Sequence, residues 1–364
     1  MQVKLLVLNF NGRRLLQDNL PSVVRAADRA GVPCTVGVID NDSSDDSRAW
    51  LSAHYPDIRV WHRPNRGLCS FNDVLAQIDS PVALLLNNDI ELEDDFARRL
   101  IQPLQPGHAQ YDPQCFMSAP LCWAADARTC EGFKTAVRWR YGLVQATGRF
   151  PGHEAGMLEP GLTASAGAAL AVDRQKFLEL GGFDPLYLPG RIEDLDFAYR
   201  GHQSGYVAKY VPQAVCYHAG MATFGAVYGQ QGCDALALRN TLLFQWKNFH
   251  TRRHRLAQIG GGLLRVAADV AKSPKATPAQ RWKFVRALAA AFAKRHELRL
   301  GPQPRFDLSR EREFFSKFHP AKLVDTGHVG TSEIAKTHLN AARAARPNLT
   351  PTANRLALAA TNPS

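Results

Sequence analysis

The chain has no run of about 18 apolar residues, so nothing in it reads as a membrane-spanning helix. Its cysteines number seven, an odd count scattered without paired spacing, which argues against a disulfide framework. Cys115, Cys122 and Cys130 lie closest together, yet their spacing matches no common zinc pattern. No RRM, KH, zinc-finger or helix-turn-helix signature is present, which speaks against nucleic acid as a partner. There is no internal repeat. Met1 leads almost directly into the short apolar run VKLLVLNF, too short for a signal h-region with a cleavage site. A reducing cytoplasm is the expected location.

What is present is an ordinary globular composition. The 364 residues are 45% hydrophobic and 21% charged, enough for a large core and one big domain with an appendage. The net charge of +11 is unevenly placed. Residues 241–364 hold 22 Lys and Arg against 7 Asp and Glu, which leaves the first 240 residues net acidic. The basic character belongs to the tail and needs its own explanation.

The first hundred residues alternate short apolar strands (3–9, 34–39, 58–61, 82–86) with helical stretches (14–30, 45–54, 69–78, 93–103). This alternation predicts a parallel sheet covered on both faces, with ligands bound where loops gather at the carboxyl ends of the strands. Those loops are polar: Asn9-Phe-Asn-Gly12, Asp40-Asn-Asp-Ser-Ser44, Asn65-Arg-Gly67 and Asn87-Asn-Asp89. The opposite loops are plain turns. Residues 104–162 read as mixed and partly irregular, with strands at 114–121 and 134–140. Helices follow at 235–248, 255–271 and 278–299, and then a weakly patterned end, expected from composition to be partly mobile.

Residues 163–218 add titratable groups. Glu193, Asp194 and Asp196 open a helix, and His218 closes the next strand. Carboxylates at the mouth of such a sheet, with an imidazole beside them, suit proton abstraction near a divalent cation. Acidic residues are also common in first helical turns for the sake of the dipole alone.

In chain order, VLNFNG (7–12), VIDNDSSDDS (38–47), NRGLCSFNDVL (65–75), LLLNNDIEL (84–92), SAGAALAVDR (165–174), GGFDPLY (181–187), IEDLDFAYR (192–200) and the strand from Gly205 to His218 resemble a family 2 glycosyltransferase. The resemblance covers residues 3 to about 250 and is nearest to the bacterial rhamnosyltransferase-like branch, whose members build cell-surface polysaccharides. It implies the α/β GT-A fold, a Rossmann-like mixed sheet that binds nucleotide sugars. The organisation expected is a catalytic domain over 1–250, a basic amphipathic helical region over 251–300 and a C-terminal extension over 301–364.

The resemblance further implies inverting transfer from dTDP-rhamnose or a UDP-hexose to a saccharide or lipid-linked glycan. Asp40 takes a nucleotide role, with Asn9 and Asn11 in the first loop and Arg66 near the base or diphosphate. The alternatives are that Asp40 caps the following turn and that Arg66 is a solvated loop arginine. Asn87-Asn88-Asp89 stands where the family has its DxD motif. A Mn²⁺ or Mg²⁺ ion there wants oxygen ligands, normally carboxylates. Asn87 replaces the first acid, so Asp89 becomes the direct ligand, with Asn87 and Asn88 left to the sugar nucleotide. His218 completes the cation site, and imidazole suits Mn²⁺. Asp194 is the base, Glu193 orients the acceptor, and Asp196 pairs with Arg200. Ser165 and Gly167 lie near the donor sugar, or else serve a tight strand crossing. Gly181-Gly182-Phe183-Asp184 forms the turn that delivers the acidic loop.

Two rival readings are a catalytically weak nucleotide-sugar-binding protein, because of Asn87, and a nucleotidyltransferase. The latter would need a Gly-rich activating loop that LNFNGRRLL does not provide. In the tail, Leu263, Leu264 and Val266 lie near Arg265, and Trp282, Phe284 and Val285 among Arg281, Lys283 and Arg286. Interleaving of this kind suits a helix on an anionic membrane, peripheral at the inner face. A helical subdomain packed on the catalytic domain is the alternative.

Overall fold

The computed structural model describes residues 1–323 apart from 128, 221 and 272–276. The N-terminal half alternates strand and helix: β1 (Val3–Asn9), α1 (Arg13–Asp28), β2 (Cys34–Asp40), α2 (Ser47–His54), β3 (Arg59–His62), α3 (Ser70–Leu75), β4 (Val82–Asn87), β5 (Ile90–Leu92) and α4 (Phe96–Leu100). The helix expected at 93–103 shortens to α4 because Pro103 falls in the 3₁₀ turn Gln102–Leu104. Strands β1, β2, β3 and β4 are parallel, with β1 between β2 and β4. The chain therefore reverses its direction of growth at β1 and β4, the switch point where such sheets bind ligands.

The rest of the sheet is mixed. The strands β6 (Cys115–Ala124), β7 (Cys130–Gly132), β8 (Ala136–Arg140), β9 (Leu143–Thr147), β10 (Gly161–Leu162) and β11 (Ala169–Asp173) come next. They are followed by α5 (Arg174–Glu179), α6 (Glu193–Gln203) and β12 (Val207–His218). The main path runs β10-β12-β6-β11-β4-β1-β2-β3, with β5 on β12 and β7 on β6. β11 is antiparallel to both β4 and β6, and β12 runs parallel to β6. β8 and β9 form a separate hairpin.

Period-two alternation explains the two cores. Leu5, Val7, Leu84 and Leu86 face α1, α2 and α4, whereas Leu6, Ile39, Ala83 and Leu85 face α3, α5 and α6. Such side chains, nearly all fully buried, are worth about 1.5–3 kcal/mol each.

The chain continues through α7 (Ala222–Asn248), α8 (Arg252–Val270), α9 (Pro278–Arg281), α10 (Lys283–Lys294), α11 (Leu308–Lys317) and α12 (Pro320–Leu323). A kink at Gly229, with φ of 61°, divides α7. A third core joins Val137 and Val144 of the hairpin to Leu195 and Tyr199 of α6, Leu243 and Phe244 of α7, Phe284 of α10 and Phe314 of α11. The C-terminal helices are thus bound to the hairpin and to α6 through one apolar cluster. Phe284, read from the sequence among membrane-facing residues, is turned into it. Most of the 301–364 extension lies outside the described residues. Among those described, no helix is long and apolar enough to cross a membrane.

Candidate active site

The carboxyl ends of β1, β2 and β4 converge on a polar cluster. Asn9 Nδ2 donates to Asp40 Oδ2 (3.3 Å) and Ser43 Oγ (3.2 Å), and Asn88 Nδ2 donates to Asn9 Oδ1 (2.7 Å). Asp40 is fully buried and also accepts from the Ser43 amide at 3.1 Å. It caps its own turn, beneath the site. Asn11 has φ of 46° and accepts from the Ser44 amide at 2.7 Å, which ties the first loop to the second. Gly12 is needed for this convergence, since a Cβ there would overlap Asn88 and Asn9. Arg66 stands 3.8 Å from Asp73 with its side chain half-buried.

Above this cluster opens a cavity of about 950 Å³. Asn87, Asn88, Asp89, Ser165, Gly167, Glu193, Asp194 and His218 all border it. Asn9, Asn11, Asp40 and Arg66 do not; they form or flank its support. Gly167 has open space where a Cβ would lie, so the wall is low there. Asn41 and Asn65, from the same polar loops, reach the cavity instead.

On one side of the site, Asp89 and His218 meet. His218 Nε2 lies 3.2 Å from Asp89 Oδ1, and its Nδ1 lies 2.7 Å from Glu131 Oε2. Burial alone would lower the His218 pKa, but the two carboxylates outweigh it and hold it well above the ordinary histidine value. Asp89 Oδ1 is buried, with the imidazole as its charged neighbour, and a bound cation would take the place of the imidazole proton between them. A buried carboxylate oxygen so placed is suited to a cation. Glu131 sits on the other ring nitrogen, where it would fix the imidazole rather than bind metal. Among the described residues no group of three His, Cys, Asp or Glu converges on one point, so a cation here would take its remaining ligands from substrate and water.

The acidic loop supplies the other half. Asp194, in the first turn of α6, accepts from Ser165 Oγ at 2.8 Å. Burial raises its pKa first, and Ser165 with nearby backbone amides pulls it back, leaving it above the usual carboxylate value. Glu193 has less support: one of its oxygens is buried without a hydrogen bond. Burial, and then the charge of Asp194, push Glu193 to about 8. Both acids are thus held above the usual carboxylate range, Glu193 far enough to keep a proton at neutral pH.

The backbone before this pair is strained. Arg191 and Ile192 have φ of 80° and 78°, each costing about 1–3 kcal/mol for non-glycine residues. Asn240 of α7 holds the loop in place through Nδ2 contacts to the carbonyls of Tyr187 (2.7 Å), Gly190 (2.8 Å) and Arg191 (2.9 Å). Asp196 lies underneath. It accepts from Arg200 Nε at 2.7 Å, Tyr187 Oη at 2.8 Å and Lys247 Nζ at 3.0 Å, while Lys247 also reaches Asp184 at 2.7 Å. Asp196 is structural. Gly181 and Gly182 take φ of 76° and 64° in the turn that leads into Asp184.

Residues 5–122 match the Glycosyl transferase family 2 model, a stretch from β1 into β6 that includes Asp89 but neither acidic loop nor His218. The crystal structure of GalNAc-T7 with UDP, GalNAc and Mn²⁺ superposes with a TM-score of 0.55 at 16% identity, over 91% of this chain and 57% of that one. This chain has the GT-A fold. The family model matches about a third of the chain. The chain spans little more than half the length of GalNAc-T7, and the likeness is one of fold. The mannosyltransferase PcManGT from Pyrobaculum calidifontis, in complex with GDP-Man and Mn²⁺, aligns at a TM-score of 0.46 and 17% identity over 94% of this chain and 86% of its own. S. aureus TarS 1–349 aligns at 0.45 and 12%, over 87% and 91%. No curated protein matches the chain.

Sequence reasoning missed three contributors to this GT-A site. Glu131 lies in a segment read as irregular, and only the pairing of β7 with β6 and of β6 with β12 brings it to His218. Asn240 and Lys247 sit on the helix expected at 235–248, where no site residue was named. A buried lysine and a buried asparagine in such a helix are the signal that was available.

Proposed function

We propose that this chain is an inverting glycosyltransferase that takes a sugar from a nucleoside-diphosphate sugar with the help of a divalent cation. The observation that carries the reading is Asp194, held by Ser165 at a cavity that Asp89 and His218 also border. Asp194 removes the proton from an acceptor hydroxyl as that oxygen forms a bond to the anomeric carbon. The bond from this carbon to the diphosphate oxygen breaks, and its electron pair leaves with the nucleoside diphosphate. One in-line displacement inverts the anomeric configuration. Glu193, protonated at neutral pH, can donate a hydrogen bond to the acceptor.

Asp89 and His218 are the residues that would hold Mn²⁺ or Mg²⁺, and Glu131 would set the imidazole. A bound cation supplies charge neutralisation at the diphosphate leaving group. Asn87, Asn88, Asn41 and Asn65 would line the nucleotide side. At about 950 Å³ the cavity is at the upper end of small-molecule sites, which suits a sugar nucleotide together with its acceptor. The donor proposed from the sequence resemblance is dTDP-rhamnose, with a UDP-hexose second, and the acceptor a saccharide or lipid-linked glycan of a bacterial cell surface.

A thermal-shift panel of nucleotide sugars with and without Mn²⁺ selects the donor, because ligand binding raises native stability by mass action. Donor turnover with Mn²⁺ should then vanish in Asp194→Asn and in Asp89→Ala. Full turnover in Asp194→Asn would sink the assignment of the base. Binding without turnover in the wild type would favour a silent sugar-nucleotide binder.

A further inference from the structure

The helix α8 carries an apolar face that nothing in the described chain covers. Its inner side is anchored on the β8–β9 hairpin and on α10. Arg265 donates to the carbonyls of Tyr141 and Arg140 (3.2 Å each), His254 stacks on Trp139 at 4.8 Å, and Asp269 accepts from the Phe284 amide at 2.9 Å. The outer side is different. From residue 256 to 270 every exposed position is apolar or glycine, with Leu256, Ile259, Leu263 and Leu264 each 62–70% exposed. The polar residues of that stretch (Gln258, Arg265, Asp269) turn toward the protein. A solvated helix would show the reverse pattern. At 1.5 Å per residue the face runs for about 20 Å.

Its surroundings are basic. Arg252, Arg253 and Arg255 are exposed on the first turn of α8, and Arg140 beside the hairpin tip is exposed as well, next to Tyr141. Residues 251–300 hold twelve Lys and Arg against two acids. A second copy pairing through the same face would therefore meet like charge. Residues 324–364, with four basic and two acidic side chains, offer no complementary charge either. An apolar stripe with a cationic rim is complementary to the headgroup region of an anionic bilayer.

We infer that α8 lies flat on an anionic membrane surface, with Leu256, Ile259, Leu263 and Leu264 inserted among the acyl chains and the flanking arginines on the headgroups. Leu263 and Leu264 agree with the sequence reading; Val266 and Phe284 face the protein and take no part. The hairpin on which α8 rests contributes Arg138, Gln145 and Thr147 to the cavity. A membrane-bound α8 would thus present the cavity to glycans carried on lipid, a consequence that rests on the transferase reading, whereas membrane binding does not.

The test uses the full chain without substrate. Sedimentation with vesicles of phosphatidylglycerol and phosphatidylcholine should pull the protein down, and vesicles of phosphatidylcholine alone should do so much less. Ile259→Asp with Leu263→Asp should weaken vesicle binding by at least about tenfold while leaving thermal unfolding and donor binding unchanged. Leu256→Asn gives a milder version should the double variant fold poorly. Equal binding by wild type and variants would overturn the inference, because charge alone would then carry it. So would a wild-type dimer that Leu263→Asp dissociates and that ignores vesicles, since a second copy would then cover the face.

Discussion

Ser165→Ala is the perturbation that separates a positioned base from a merely acidic helix start. The Ser165 hydroxyl stands 2.8 Å from Asp194 Oδ2 and donates to it. A hydrogen bond to a charged acceptor is worth about 1.5–3 kcal/mol, and each pKa unit is 1.36 kcal/mol. Losing the bond should therefore raise the Asp194 pKa by about 1–2 units. As general base Asp194 acts ionised, so the rate rises with pH through its pKa. The acid limb of the kcat profile should move to higher pH by that amount, and activity should be regained on the alkaline side. Glu193 titrates near 8, so the limb of the variant will approach that of its neighbour and the two will report as a pair. The assay is donor turnover at saturating acceptor across the pH range, alongside Asp194→Asn as the inactive reference. A loss of equal size at every pH, with the limb unmoved, would refute the reasoning and leave Ser165 as a wall of the sugar pocket.

Three further outcomes are expected. Glu131→Ala frees the imidazole of His218 from its 2.7 Å partner and should weaken Mn²⁺ binding by about 10–100-fold, read by calorimetry; unchanged affinity would remove His218 or its orientation from the site. Lys247→Met leaves Asp184 and Asp196 buried with one cation fewer and should cost about 3–5 kcal/mol in denaturant unfolding at neutral pH. Burial alone would raise Asp196, yet Lys247 and Arg200 hold it at about 2, so its stabilisation is present above the unfolded value of 3.8 and is lost as pH falls toward 2. The gap between wild type and Lys247→Met should narrow over the same range. Glu193 works in the opposite sense: with a native pKa of about 8 and an unfolded value of 4.5, it erodes stability as pH rises between the two, so Glu193→Gln should gain on the wild type over that window.

The strands and helices of the first hundred residues were legible because period-two and period-3.6 patterns are local properties. The polar loops at the carboxyl ends were legible for the same reason, as were the acids at 193 and 194. What each loop residue touches was not. The family resemblance assigned Asn9, Asn11 and Asp40 to the nucleotide. In the fold they bond to one another and to Ser43 and Ser44, since converging loops must satisfy their own buried groups first. Ser165 was placed near the donor sugar for its small size, whereas its hydroxyl is aimed at Asp194. Glu131 was invisible because it reaches His218 across 87 residues of sequence, through strand pairing that no local pattern encodes.

The departure at Asn87 weakened the expected metal site on paper, yet the fold places a different kind of support there. Asp89 is joined by an imidazole whose far nitrogen rests on a carboxylate, so at a bound cation Glu131 would return part of the donor strength removed with one acid. The acidic loop shows the same dependence on distant parts. Both of its ends are held by α7, at Asn240 and at Lys247, and α10 adds Lys294 Nζ on the Leu186 carbonyl at 2.8 Å. The support of the acidic loop therefore extends past residue 250 into the basic helices. A chain cut at that point would keep every candidate catalytic side chain but lose α10 from the third core and from the loop it braces. Loss of activity in such a fragment would say nothing about acceptor or membrane. Point changes on the exposed face of α8 leave that bracing intact, which is why they separate a surface role from an architectural one.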